Sequence, residues 1–419
     1  MRIRDVLAVP IHRHPTVSNV LKFIGPGLLV TVGFIDPGNW AANLAAGAGY
    51  GYTLLWMVTL STLMLILLQH NAAHLGIVTG DCLSEAATRH FSPLFSRPLL
   101  ASAALSASAT VFAELLGAGI ALNMLTSIPI PVGSTLTAIL CVWLLLSKSY
   151  RKLEQLIIGF VSLIGFAFVI ELLLVQTRWS QAAAGWVTPS IPPGSTLIVM
   201  SVLGAVVMPH NLFLHSEIIQ SRQWHTEGEA VIVERLRYEF LDTIFSMLVG
   251  WGINSAMILV AAATFYLHGT PVDDLAQAYR MLTPLLGKGA AVVFALALLS
   301  AGIASSITAG MSGGSIIAGM HGEPYASDDP HTRRGIIVTM LGGAAPIWLV
   351  TDPFRGLIIS QMLLSIQLPW TIFLQIRLTS SPRIMGSHAN SPLDRTLLWV
   401  TFAIVTLLNL ILLVDSLKG

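Results

Sequence analysis

GFIDPGNW, residues 33–40, sets one carboxylate, Asp36, and a Pro-Gly pair, Pro37 and Gly38, inside an apolar stretch running from Leu28 to Ala46. Proline removes a backbone donor and clashes with the preceding turn, and glycine adds conformational freedom. The stretch therefore predicts a helix that unwinds partway along. Irregular backbone is tolerated at membrane depth only where it lines a cavity or is buried in protein. A simple proline kink would explain Pro37 alone. It does not explain Asp36, because a carboxylate in a spanning segment is costly and reads as functional.

The rest of the chain makes the membrane setting plain. Of 419 residues, 54% are hydrophobic and 10% charged, against about 25% charged in a soluble domain. No soluble core absorbs that much apolar sequence, so a polytopic membrane protein is expected. The net charge of +1 says nothing about partners, and nothing suggests nucleic acid. Cys82 and Cys141 lie too far apart in sequence to suggest a disulfide framework or a metal cluster. The opening residues, MRIRDVLAVPIHRH, lack a small-residue cleavage site, so no removed signal peptide is expected.

Runs of roughly 17–25 apolar residues, enough to span, occur about eleven times: 19–47, 52–78, 98–124, 130–147, 153–176, 195–220, 239–267, 287–319, 333–351, 355–377 and 394–416. Connections such as 178–194 and 221–238 are too short for a soluble domain. Lys and Arg crowd one set of ends, with Arg2, Arg4, Arg13, Arg89, Arg97, Lys148, Arg151, Lys152, Arg235, Arg237, Arg333, Arg334 and Arg383 among them. The other set holds Arg178, Arg280, Lys288, Arg355 and Lys418. The positive-inside rule then puts the N-terminus in the cytoplasm and, with an odd number of spans, the C-terminus outside.

The sixth span supplies an echo of the first. It reads LGAVVMPHNLFLHSE, residues 203–217, and its MPHN (208–211) repeats the form of DPGN (36–39). The two motifs are five spans apart, and an odd offset inverts the second unit. Spans 19–176 and 195–377 then form inverted repeats, with 394–416 an extra helix. Interrupted helices at matching positions of two halves are the best sequence pointer to a midplane transport site. The donors available there are Asp36, Asn39 and Met208, with backbone carbonyls near Gly33 and Ala205. Carboxylate, amide and carbonyl oxygens suit hard cations, whereas a thioether does little for Mg²⁺ or Ca²⁺. The mixture favours borderline ions, Mn²⁺ or Fe²⁺, and admits Cd²⁺ and Co²⁺. Core packing is the usual work of methionine; the place of Met208 at the break argues for ligation.

DPGN together with MPHNLFLHS, on the first and sixth of eleven spans, closely resembles the Nramp family of divalent-metal transporters. GYGYTLLW (49–56), AELLGAG (113–119), AAATFY (261–266), LTPLLG (282–287) and LIISQMLLS (357–365) extend the resemblance over nearly the whole chain. It implies the inverted-repeat architecture of sodium-coupled amino-acid transporters, all-α with broken first and sixth helices. It also implies metal ligands at Asp36, Asn39, Met208 and the Ala205 carbonyl, joined by Gln361 in some states.

Glu114 is a second acid inside a span, readable as a proton relay or as a carboxylate bonded between helices. The family usually carries an aspartate three residues earlier, where this chain has Val111. His210 and His215 belong to the resembling motif. Histidine titrates near neutrality, which makes His210 the better proton carrier and leaves a structural bond open for His215. His70 and His74, at i,i+4, read as a polar helix end rather than a metal grip. Arg333 and Arg334 read as positive-inside charge or as a polar network, and Asn254 faces either the pathway or another helix. AGIASSITAGMSGGSIIAG (301–319) reads as close helix packing. Asp273 and Asp274 attract cations weakly.

The expectation is a secondary transporter importing Mn²⁺ or Fe²⁺, with some proton coupling through His210, Glu114, Asp36 and His215, in a bacterial inner membrane. The alternatives are a relative that prefers Mg²⁺ or is uncoupled from protons and, further off, a sodium-coupled amino-acid carrier. No His-Glu-x-x-His helix or phosphate-binding loop is present, so neither an intramembrane metalloprotease nor an ATP-driven pump is expected. No cofactor and no obligate protein partner are implied; the partners are the divalent ion and the lipid bilayer.

Overall fold

The computed structural model describes residues 36–147, 170, 172, 175–280 and 289–418. Gly33, the first span up to residue 35, residues 153–169 of the fifth span and the LTPLLG stretch lie outside the described residues. The long helices are α1 (Pro37–Tyr50), α2 (Leu55–Thr79), α4 (Pro93–Thr126), α5 (Ile130–Ser147), α7 (Thr196–Val206), α8 (Pro209–Gln220), α9 (Glu229–Thr264), α10 (Ala290–Gly319), α11 (Pro330–Ala344), α12 (Pro353–Thr379) and α14 (Pro392–Lys418). Between them lie the short helices α3 (Leu83–His90), α6 (Trp179–Val187) and α13 (Pro382–Met385). No strand occurs among the described residues. Eight spans among them, with α7 and α8 counted as one, are long and apolar enough to cross a membrane. Large apolar side chains such as Leu105, Trp143, Trp370 and Leu410 point outward, as a lipid-facing surface requires.

Three helices open on the same dipeptide. Asp36-Pro37, Asp329-Pro330 and Asp352-Pro353 start α1, α11 and α12, and each aspartate accepts from a backbone amide three residues on. The side chain satisfies an orphan donor, while proline at the first helical position loses a hydrogen bond it would not have made. The sixth span breaks where MPHN predicts. α7 ends at Val206, Val207 and Met208 leave helical geometry, and Pro209 starts α8.

α4 forms the centre, packed along α10, α11 and α12, while α7 lies on α12 and α2 on α9 and α8. The small-residue run does pack closely. At Gly302 an added methyl would overlap the Glu114 carbonyl, and at Gly313 it would overlap Thr339. Two elements differ from the expected spans. α9 begins at Glu229 rather than 239, because Glu234, Arg235 and Arg237 interrupt the apolar residues of its first turns and read as a connection between spans. The segment 178–194, expected as plain connection, contains α6.

Candidate functional site

Pro209 has no N–H to offer the carbonyl four residues back, which is that of Ala205. That oxygen instead accepts from the side-chain amide of Asn39 at 2.8 Å. The same nitrogen lies 3.2 Å from Oδ2 of Asp36, and the Asn39 backbone N–H donates to Asp36 Oδ1 at 2.5 Å. A residue after one break thus touches the polar groups freed at both.

Asp36 is not an ordinary cap. Asp352 makes the same bonds at an exposed position and Asp329 at a half-buried one, whereas Asp36 is 0% exposed. An ionised carboxylate offers about four lone-pair positions, and the two bonds from Asn39 use two of them. What remains faces a buried setting where a cation is worth far more than in water.

Met208 caps α8 at the second break, one turn beyond Ala205, and is buried. Its Sδ accepts from the Asn211 amide at 3.3 Å. Gln361, on α12, is wedged against both breaks. An added methyl on Gly38 would overlap its side chain, and one on Gly204 would overlap its backbone carbonyl. Its Oε1 is buried without a hydrogen-bond partner among the described residues. Asp36, Asn39, Ala205 and Gln361 therefore meet, with Met208 on the neighbouring turn; the Gly33 carbonyl lies outside the described residues.

Of the proton candidates, the structure draws two to this place. Gly117 of α4 packs on the ring of Pro37, and Glu114 lies one turn earlier on that helix. Both Glu114 carboxylate oxygens are buried without a hydrogen-bond partner among the described residues, and the group interacts electrostatically with Asp36. This disfavours the reading of Glu114 as a bonded structural carboxylate. His210 Nδ1 lies 3.2 Å from Thr110 Oγ1, one turn before Glu114, and the His210 carbonyl accepts from Ser312 at 2.6 Å. Val111 is fully buried and fills the space left by Gly343 of α11.

His215 is placed elsewhere. Its Nε2 lies 3.3 Å from Glu239 Oε1 and its Nδ1 3.3 Å from Gln69. Glu239 also meets His70 at 2.5 Å and accepts from Thr243 at 2.6 Å. His70 is thus a carboxylate partner, with His74 stacked beside it at 6.2 Å. The sequence reading missed Glu239 and also Glu217, which accepts from Ser315 and from the Tyr325 amide. Both are acids at the ends of expected spans, a position that reads as flank. Asn254 faces another helix, accepting from Asn43 at 2.6 Å. Arg333 and Arg334 are exposed, which favours positive-inside charge.

Comparison with known proteins agrees with this architecture. The family described as natural resistance-associated macrophage protein-like, Nramp, matches residues 27–415. A protein of Brucella suis named divalent metal cation transporter MntH is 38% identical, covering 95% of this chain and 89% of its own. One of the same name from Ralstonia nicotianae is 37% identical over 100% and 96%. A crystal structure of the Eremococcus coleocola manganese transporter matches with a TM-score of 0.78 and 28% identity, covering 96% of this chain and 88% of that one. Mhp1, a nucleobase-cation-symport-1 family transporter, shares the fold at a TM-score of 0.61 and 16% identity, over 92% and 91%. The chain is a multi-pass, all-helical membrane protein with a transporter fold, and it belongs to the Nramp family.

Proposed function

We propose that this protein is a secondary transporter that imports divalent transition-metal ions, Mn²⁺ and Fe²⁺ foremost with Cd²⁺ and Co²⁺ admitted, by alternating access. The observation that carries the reading is the buried meeting of Asp36, Asn39 and the Ala205 carbonyl at two facing helix breaks. Relatives named as divalent metal cation transporters, and a structural neighbour named as a manganese transporter, support it.

The ion is cargo, and each ligand has its own part. Asp36 supplies the charge; Asn39, Gln361 and the carbonyls of Ala205 and Gly33 supply neutral oxygens. Met208 supplies a sulfur that Mg²⁺ and Ca²⁺ do not reward. No residue of this set performs catalysis, so the protein is a carrier rather than an enzyme. The two units 19–176 and 195–377 act as inverted repeats that rock about the fixed site, with 394–416 outside the repeat. The setting is a bacterial inner membrane, N-terminus cytoplasmic and C-terminus outside, as the Lys and Arg distribution favours.

Protons move with the ion through Asp36, Glu114 and His210, while His215 belongs to the Glu239 network and has only a supporting part. Val111, sealed against Gly343, favours loose coupling. Uptake of Mn²⁺ into proteoliposomes with a pH dye inside tests both halves. Wild-type protein should accumulate Mn²⁺ with some internal acidification, and Asp36→Ala should do neither. Equal uptake by the two would refute the site.

A further inference from the structure

The turn between α10 and α11 reads HGEPYASDDPH, residues 321–331, and it gathers donors that the transport site does not use. Glu323, Asp329 and His331 each bring one ligand atom within 4.8 Å of the others. His331 Nδ1 lies 2.8 Å from Glu323 Oε2. The ring of His321 stacks on that of His331, centroids 3.8 Å apart and planes 12° from parallel.

The hydrogen bonds around these groups leave donor atoms available. His321 Nδ1 lies 3.0 Å from the carbonyl oxygen of Ile317. A carbonyl only accepts, so Nδ1 carries the proton and Nε2 keeps its lone pair, the arrangement a metal-ligating imidazole adopts. Asp329 Oδ2 accepts from the Thr332 N–H at 2.7 Å, and a carboxylate with about four lone-pair positions can take a further partner. The set is two imidazoles with two carboxylates. Carboxylates alone suit hard ions; adding imidazole shifts the preference to borderline transition ions.

We infer that the α10–α11 turn is a second divalent-metal site, separate from the paired breaks, formed by Glu323, Asp329 and His331 with His321 as a fourth donor, and taking Mn²⁺, Co²⁺ or Zn²⁺. Ligands held about 2.1 Å from such an ion lie roughly 3.4 Å from one another in a tetrahedral shell. Glu323, Asp329 and His331 have only to move from at most 4.8 Å apart to that spacing, whereas the His321 ring, stacked on His331, has to tilt to bring Nε2 to the ion. The turn is also tied to the interior. Between the ligands, the Tyr325 N–H donates to Glu217 Oε1 at 3.1 Å, and Glu217 stands on α8, the helix that Met208 caps. An ion that fixes the turn therefore also fixes the far end of a helix carrying a transport residue, a consequence that rests on the proposed function.

Full-length protein in detergent, its affinity tag removed, tests this by titration with Co²⁺ followed by visible absorption. Asp36→Ala should keep about one equivalent with bands of nitrogen-oxygen coordination, and Co²⁺ should raise its unfolding temperature. Adding His321→Ala and His331→Ala should abolish both effects, and Glu323→Gln should weaken binding at least tenfold. Unchanged unfolding temperatures without metal establish that these surface variants still fold. Absence of saturable binding in Asp36→Ala, or bands that survive loss of both histidines, overturns the inference. A single equivalent in wild type that Asp36→Ala retains and the histidine variant loses supports the turn site, while counting against ligation by Asp36.

Discussion

Asn39 Nδ2 stands between two oxygens it cannot both keep when a cation arrives: the Ala205 carbonyl at 2.8 Å and Asp36 Oδ2 at 3.2 Å. A metal ion that draws on those oxygens expels an N–H donor and needs an oxygen in its place. Rotation of the amide supplies one without moving the backbone. The bond that ties the start of α1 to the end of α7 is thus the bond that metal entry exchanges.

The first prediction follows from that exchange. Asp36→Ala removes the only charge in the set and should abolish Mn²⁺ uptake in a folded protein. Asn39→Ala removes one neutral oxygen and should raise the apparent KM about tenfold, which is ~1.4 kcal/mol. Initial-rate uptake measurements decide it; a silent Asn39→Ala would show that the amide does not ligate.

Selectivity should reside in Met208. Its sulfur is buried at the break and accepts from Asn211. Met208→Ala should weaken Cd²⁺ competition more than it weakens Mn²⁺ uptake, and should let Ca²⁺ or Mg²⁺ compete. Unchanged competition by Cd²⁺ and Ca²⁺ would remove the thioether from the ligand set.

Two glycines that touch the same glutamine should behave differently. A methyl at Gly38 meets the side chain of Gln361, which can rotate away; a methyl at Gly204 meets its backbone carbonyl, which cannot. Gly38→Ala should displace Gln361, slowing transport in a protein of near-normal stability. Gly204→Ala should separate α7 from α12 and cost about 1–3 kcal/mol. Unfolding temperatures of the two variants give the comparison, and an equal loss in both would contradict this account.

The start of α1 and the break in the sixth span were legible in sequence because proline acts locally: Pro37 and Pro209 start α1 and α8 where DPGN and MPHN predict. Span positions were legible because lipid demands apolar runs. What sequence could not convey was pairing across helices. Glu239 looked like the polar edge of a span, and only the fold brings His70 from α2 and His215 from α8 onto its two oxygens. The start of α9 was hidden for a related reason, since Glu234, Arg235 and Arg237 break up the apolar residues of its first turns. Gln361 was reached through family resemblance alone, and its closeness to Gly38 is a tertiary fact.

The Glu239 network should be a stability element. Glu239→Ala leaves His70, His215 and Thr243 facing a buried hole, and breaking such an arrangement from one side costs about 3–5 kcal/mol. Glu239→Gln keeps an acceptor and should lose less. Thermal unfolding in detergent is the measurement. If Glu239→Ala melts with wild type, these bonds do not hold α2, α8 and α9 together.

Proton coupling is where this chain departs from its family. Val111 can neither carry a proton nor order water, and it is packed against Gly343, so α4 and α11 close over the place an acid would occupy. Asp36, Glu114 and His210 remain, the last joined to α4 through Thr110. Mn²⁺ entering a negative interior gains about 2.3 kcal/mol per charge per 100 mV without any proton. We therefore expect the proton-to-metal ratio to fall as the membrane potential is made more negative. Val111→Asp puts a carboxylate between Glu114 and α11, and should raise proton flux per Mn²⁺ while lowering stability, since the new acid is buried. Proteoliposomes reporting internal pH and Mn²⁺ together at several clamped potentials provide the test. A ratio that stays fixed in wild type would show that Asp36, Glu114 and His210 suffice for tight coupling, and Val111→Asp should then change only stability.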